Sequence, residues 1–138
     1  MNMTQKPVIG VTMGDPAGVG PEIAIKALSN PQVFCLCIPV LIGDLGILKE
    51  TAERLGVNVS FQTIHFPKSA EGEGSQIRVI DMKNVDLRTF KVGKASAEAG
   101  KASIEYIEKS VEYAMRCEVD AVATGPINKH AAQLAGSQ

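Results

Sequence analysis

Two short segments concentrate the residues that could do chemistry, and they share one pattern. Gly14-Asp15-Pro16-Ala17-Gly18-Val19-Gly20-Pro21-Glu22 and Thr124-Gly125-Pro126-Ile127-Asn128-Lys129 each follow an apolar run and precede a helix-forming stretch. In the first, Gly14, Gly18 and Gly20 permit backbone conformations closed to other residues and let a ligand approach the main chain. Asp15 and Glu22 bracket the turn. Two carboxylates repel a bare phosphate, so their chemistry would be accepting hydrogen bonds from hydroxyls or basic groups. A structural reading is equally open, because Asp before Pro makes turns and Glu in a first helical turn suits the dipole. In the second segment Thr124 offers a hydroxyl, Lys129 a positive charge, and a helix opened by Pro126 its N–H groups. That set suits an anionic group of a substrate. The structural alternative is a Thr cap beside a solvent-facing Lys.

Standard signatures are missing. The glycines at 14, 18 and 20 do not fit the Gly-x-Gly-x-x-Gly dinucleotide fingerprint. Gly100-Lys101-Ala102 lacks the hydroxyl of a Walker loop, and Ala95 stands where that motif needs its first glycine. His65 and His130 are the two histidines, in separate segments, so a metal site built within this chain is not expected. No Gly-x-Ser-x-Gly elbow occurs.

The elements that must position the two segments follow from periodicity and punctuation. Apolar runs predict strands at 7–13, 34–42, 57–66, 76–81 and 119–123. Helices are expected at 21–28, at 45–55 with Asp44 as cap and Gly56 as stop, at 94–117, and at 126–135. In the longest, Ile104, Ile107, Val111, Ala114 and Met115 form one stripe expected to face the core. Gly93-Lys94-Ala95-Ser96 recurs as Gly100-Lys101-Ala102-Ser103, a seven-residue spacing that would place both copies on one helix face for close packing. A surface loop is expected at 68–75. Alternation of strand and helix, with strands apolar throughout, predicts an α/β fold: three layers around a mostly parallel sheet. Both glycine-proline segments then fall at carboxyl ends of strands, on one rim of the sheet.

Composition sets the outer bounds. The 138 residues are 45% apolar and 21% charged, with a net charge of −1. This is an ordinary balance for one globular domain, without the basic face of a nucleic-acid binder or anionic-membrane binder. Aromatics are 4% with no Trp, so the core must be aliphatic. Cys35, Cys37 and Cys117 do not make a disulfide framework; the first two, two apart in an expected strand, would both fill the core. The first six residues lack the apolar stretch of a secretion signal, and the run 34–42 is too short to cross a bilayer and contains Pro39. A reducing cytoplasm is the compartment expected.

Taken together, the two loop segments resemble the 4-hydroxythreonine-4-phosphate dehydrogenase family of vitamin B6 synthesis, and Gly93-Lys94-Ala95-Ser96 fits as well. The Gly14-Asp15-Pro16 form, in place of Gly-Glu-Pro, resembles the paralogous branch that acts on 4-phospho-D-threonate or 4-phospho-D-erythronate. The resemblance implies NAD or NADP as oxidant of a secondary alcohol on a small phosphorylated hydroxy acid. The β-keto acid formed then loses carbon dioxide, and a divalent metal polarises the reacting oxygen. It also implies part of an isocitrate/isopropylmalate dehydrogenase-like fold, and a homodimer. By the same resemblance Asp15, Glu22, Thr124, Gly125, Asn128 and Lys129 would line the substrate site, shaped by Gly14, Gly18 and Gly20. The family's metal-binding histidines, a Gly-His-Thr-Glu segment and most nucleotide contacts are expected beyond Gln138. Residues 1–138 are thus expected to be an N-terminal portion that is inactive alone. Two rivals stand beside this: a phosphotransacetylase-like transferase, and a non-catalytic dimerisation or regulatory module.

Overall fold

The computed structural model describes residues 5–70 and 75–137. Five strands form one sheet: β1 (Val8–Thr12), β2 (Ile38–Gly43), β3 (Phe61–Thr63), β4 (Ile77–Asp81) and β5 (Ala121–Thr124). The helices are α1 (Gly20–Leu28), α2 (Pro31–Leu36), α3 (Leu45–Leu55), α4 (Ala97–Met115) and α5 (Lys129–Leu134). The spatial order is β3-β4-β2-β1-β5, and every pair is parallel.

Handedness and order together assign the layers. From β1 to β2 the chain steps toward the β3 side, whereas from β4 to β5 it passes back across β2 and β1. Right-handed crossovers in opposite directions put their helices on opposite faces. The packing agrees, because α1 lies against α3 and α4 lies against α5 and the sheet. The buried core is mainly aliphatic, with Val40, Leu41, Ile42, Val79, Ile77, Ile47, Leu48, Ile25 and Met13 at most 1% exposed, but the fully buried Tyr106 and the buried Tyr113 also belong to it. β2, flanked on both sides and covered on both faces, is buried from Pro39 to Gly43.

Capping sets both ends of α3 as expected, while α4 starts later than expected. Asp44 accepts from the Ile47 N–H and starts α3, and Gly56 at φ +66 ends it in the left-handed region. Ser96 starts α4 by accepting from the Ala99 N–H.

Several expectations are corrected. Residues 34–36 are the end of α2, not a strand, because Pro31 after the Asn30 cap opens a helix in the apolar run. Cys35 is therefore exposed, and Cys37 is half-buried at the helix end, so the pair does not fill the core. The strand expected at 57–66 shrinks to Phe61–Thr63 at the sheet edge. The stripe on α4 is not the core face: Val111 is 51% and Met115 81% exposed and Ile104, Ile107 and Ala114 are half-buried, while Ala99, Gly100, Ala102, Ser103, Tyr106, Ser110 and Tyr113 form the buried side. The small residues let α5 and the sheet approach α4 closely, and Tyr106 and Tyr113 fill the remaining space. The first copy of the repeat is not helical at all, since Gly93 sits in a loop at φ +83 and Ser96 is the cap. The loop expected at 68–75 holds a short 3-10 turn at Pro67–Ser69, and residues 71–74 lie outside the described ones.

Candidate functional site

β1 and β5 lie side by side and end at the same rim, with Thr12 opposite Thr124. The chain leaves β1 toward α1 on one face and β5 toward α5 on the other. Neighbouring parallel strands whose outgoing loops part to opposite faces leave a crevice between them, the usual ligand position in open α/β sheets.

The loops are joined at their bases. The Asp15 N–H donates to the Pro126 carbonyl at 2.9 Å, and the Gly125 N–H donates to both the carbonyl and the hydroxyl oxygen of Thr12, each at 3.0 Å. Two glycines make this approach possible. Gly14 has φ +76, and a side chain there would overlap the Pro126 carbonyl. A Cβ on Gly125 would stand 2.6 Å from the Thr12 carbonyl oxygen. The expectation that the two glycine-proline bends meet on one rim is met by these contacts.

In the first loop Asp15 is buried, and its Oδ1 accepts from the Ala17 N–H at 2.8 Å. Its carbonyl accepts from the N–H of the exposed Gly18 at 3.0 Å. The N–H groups of Asp15, Ala17 and Gly18 therefore point to protein acceptors, so these three do not make a phosphate cradle. Gly20 is the buried first residue of α1, packed against the Met13 carbonyl. Glu22, in the first turn of α1, accepts from Lys26 at 2.7 Å. That hydrogen bond and the charges of Lys26 and Arg54 hold its carboxyl below the usual carboxylate range.

In the second loop Thr124, Asn128 and Lys129 are exposed and Gly125 is half-buried. The helix does not open at Pro126 as expected. Asn128, extended at φ −97 and ψ 110, is its cap and accepts from the Ala131 N–H at 3.1 Å. α5 is six residues long, so its end gives a weaker anion site than the sequence suggests. The cationic contribution is that of Lys129 at its first position.

A third segment joins them. The Gly93 N–H donates to the Ala17 carbonyl at 2.7 Å, which brings the loop before α4 against the first loop. Thr89, Lys91, Lys94, Ser96 and Glu98 line a pocket of about 300 Å³. Sequence reasoning gave no role to Thr12 and none in the site to the backbone of Gly93. The one available signal for Thr12 was a hydroxyl at the end of an otherwise apolar strand.

Among the described residues no three of His, Cys, Asp and Glu are grouped to hold a metal ion. His65 follows β3 and His130 lies in α5, at opposite edges of the sheet. These residues do not fit a metal centre. No described helix is long and apolar enough to cross a membrane.

Comparison with known proteins adds a family. A family model described as the pyridoxal phosphate biosynthetic protein PdxA matches residues 35–138. A protein of Symbiobacterium thermophilum, provisionally named a D-threonate 4-phosphate dehydrogenase, is 44% identical over 133 residues, 96% of this chain and 40% of that protein. A 4-hydroxythreonine-4-phosphate dehydrogenase of Desulforapulum autotrophicum is 36% identical over 96% of this chain and 39% of its own length. The crystal structure of a 4-hydroxythreonine-4-phosphate dehydrogenase from Burkholderia phymatum superposes with a TM-score of 0.90 at 36% identity, over 97% of this chain and 40% of that one. The chain thus spans about 40% of the length of these relatives.

Proposed function

The chain belongs to the PdxA family, and from that premise we propose that these residues serve an NAD(P)- and divalent-metal-dependent dehydrogenase of a small phosphorylated hydroxy acid. The reaction oxidises a secondary hydroxyl of the substrate, and the β-keto acid formed loses carbon dioxide. D-Threonate 4-phosphate is the favoured substrate over 4-hydroxythreonine 4-phosphate. The relative named for the first is 44% identical and the relative named for the second 36%.

The observation that carries this reading is the joining of the two loops where β1 and β5 end, with Lys129 exposed at the first position of α5, four residues after Gly125. Lys129 would hold an anionic group of the substrate. Thr124 and the Nδ2 of Asn128, whose Oδ1 caps α5, would contact its oxygens, and Gly125 lets it approach the backbone. Glu22 would accept from a hydroxyl. Asp15, with Gly14, Gly18 and Gly20, would act mainly by shaping the loop, since its carboxylate is buried and engaged with Ala17.

The metal ligands and the nucleotide contacts would come from polypeptide beyond these residues, so no catalytic step falls to the residues described. β5 is consistent with further polypeptide on that side. All four of its residues are exposed, and it is the last strand of its sheet, uncharged and without a proline. Such an edge is normally covered or blunted. The same reading includes a cytoplasmic homodimer without nucleic-acid or membrane partners.

The test is Lys129→Ala in the longest natural polypeptide containing this sequence, assayed by nicotinamide absorbance. Loss of one charge-assisted contact should raise KM for the phosphorylated acid about tenfold or more, with a smaller change in kcat. Unchanged KM and kcat would dismiss the role. Residues 1–138 alone should show no turnover, and metal-dependent NAD(P) reduction by them would refute that.

A further inference from the structure

We propose, resting on the function read above, that the Thr12 hydroxyl is a positioning residue that sets the second loop for substrate. Thr12 is 1% exposed, so it touches no ligand. Its Oγ1 accepts from the Gly125 N–H at 3.0 Å, across 113 positions of sequence. The same N–H also reaches the Thr12 carbonyl at 3.0 Å, so it is shared between two acceptors on one residue.

That sharing matters because Gly125 is the base from which the substrate-facing residues extend. The Asn128 cap lies three residues further along the chain and Lys129 four, and both are exposed. Their position is inherited from the base of the loop. The base is fixed by the Asp15 N–H to Pro126 and by the Gly125 N–H to Thr12. Of these contacts, the Thr12 hydroxyl is the one made by a side chain. Substitution can therefore remove it while leaving the backbone contacts in place.

Thr12→Val keeps the shape and removes the acceptor, and Thr12→Ser keeps the acceptor. The first readout is amide hydrogen exchange at Gly125, measured by NMR on the 138-residue chain. Thr12→Val should speed exchange about three- to fivefold, less than the about tenfold of a whole neutral hydrogen bond because the Thr12 carbonyl still accepts, while Thr12→Ser stays close to the parent. The second readout is kinetic, in the longer polypeptide. Thr12→Val should raise KM for the phosphorylated acid about five- to tenfold with little change in kcat, and Thr12→Ser should restore it.

Unchanged exchange at Gly125 in a folded Thr12→Val protein overturns the proposal. Faster exchange with an unchanged KM also overturns it, since the clamp would then not serve binding. Lys129→Ala separates that failure from a failure of the functional reading. If Lys129→Ala raises KM and Thr12→Val does not, only the Thr12 role falls. If Thr12→Val does not fold, Thr12→Ala against Thr12→Ser makes the same comparison.

Discussion

Replacing Gly100 by alanine sets helix propensity against packing, and the two predict opposite signs. Gly100 is the fourth residue of α4. In a helix, alanine is favoured over glycine by about 1 kcal/mol, so propensity alone predicts a more stable protein. The structure predicts otherwise. A Cβ at Gly100 would overlap the Ala131 carbonyl of α5 and stand 2.8 Å from the Ala132 nitrogen. Both are backbone atoms and cannot rotate aside. α5 cannot simply retreat, because Asn128 caps it and the Gly125 and Asp15 contacts hold the loop before it. Moving it would also open the seat of Ala131 and Ala132, both buried. Overpacking of this kind costs about 1–3 kcal/mol with side chains alone, and backbone lies at or above the upper end. After the propensity gain the net effect should be about 2 kcal/mol of destabilisation. Urea unfolding of the 138-residue chain should show a lower midpoint with an unchanged slope. Glu108→Ala, at an exposed position of the same helix, is the control and should stay within about 0.5 kcal/mol. A Gly100→Ala protein as stable as the parent, or more so, would refute the close α4–α5 contact and the placement of Lys129 that depends on it.

Three other outcomes rest on buried groups. Asp44 accepts from the N–H groups of Ile47 and Val85 at 3.1 and 3.2 Å and is 4% exposed, so Asp44→Ala should cost about 2–3 kcal/mol in thermal or urea unfolding. Asp44→Asn, which keeps one acceptor, should cost less. The Tyr106 hydroxyl donates to Asn84 Oδ1 at 2.8 Å, and Tyr106→Phe should lose about 1 kcal/mol at neutral pH. Burial, then the charges of Asp44, Glu105 and Asp81, push the Tyr106 phenol far above its ordinary value of 10.0. Its stabilising contribution is therefore complete below about pH 10. It is lost as pH rises further, because the unfolded chain releases that proton first. The stability of Tyr106→Phe should fall less steeply in that alkaline range, as unfolding curves at stepped pH would show. A thiol reagent should find Cys35 and Cys117 quickly and Cys37 slowly, since burial raises the Cys37 thiol and shields it. Three equal rates would contradict its half-buried place.

Local chemistry was legible in the sequence wherever neighbouring residues decide the outcome. The Asp44 cap and Gly56 stop of α3, the α/β alternation, the parallel sheet and the loop positions after β1 and β5 all depend on patterns a few residues long. The limits lay where two short-range signals compete or where the deciding partner is remote. Residues 34–36 are apolar enough for a strand, but the Asn30 cap and Pro31 commit them to α2. The stripe of Ile104, Ile107, Val111, Ala114 and Met115 has the spacing of a core face, yet α4 buries its glycine, alanine, serine and tyrosine side instead. Which side of a helix turns inward is settled by what lies opposite, and Gly100 is on the inner side because the α5 backbone arrives there. The Thr12 contact is of the same kind. Its two ends are 113 positions apart, and no periodicity or motif connects them. Residue types and spacing determined that two glycine-proline bends exist and come after strands. Only the order β3-β4-β2-β1-β5, which makes first and last strands neighbours, brought those bends within hydrogen-bonding distance. Strand order is a property of long-range burial, and a linear pattern does not carry it.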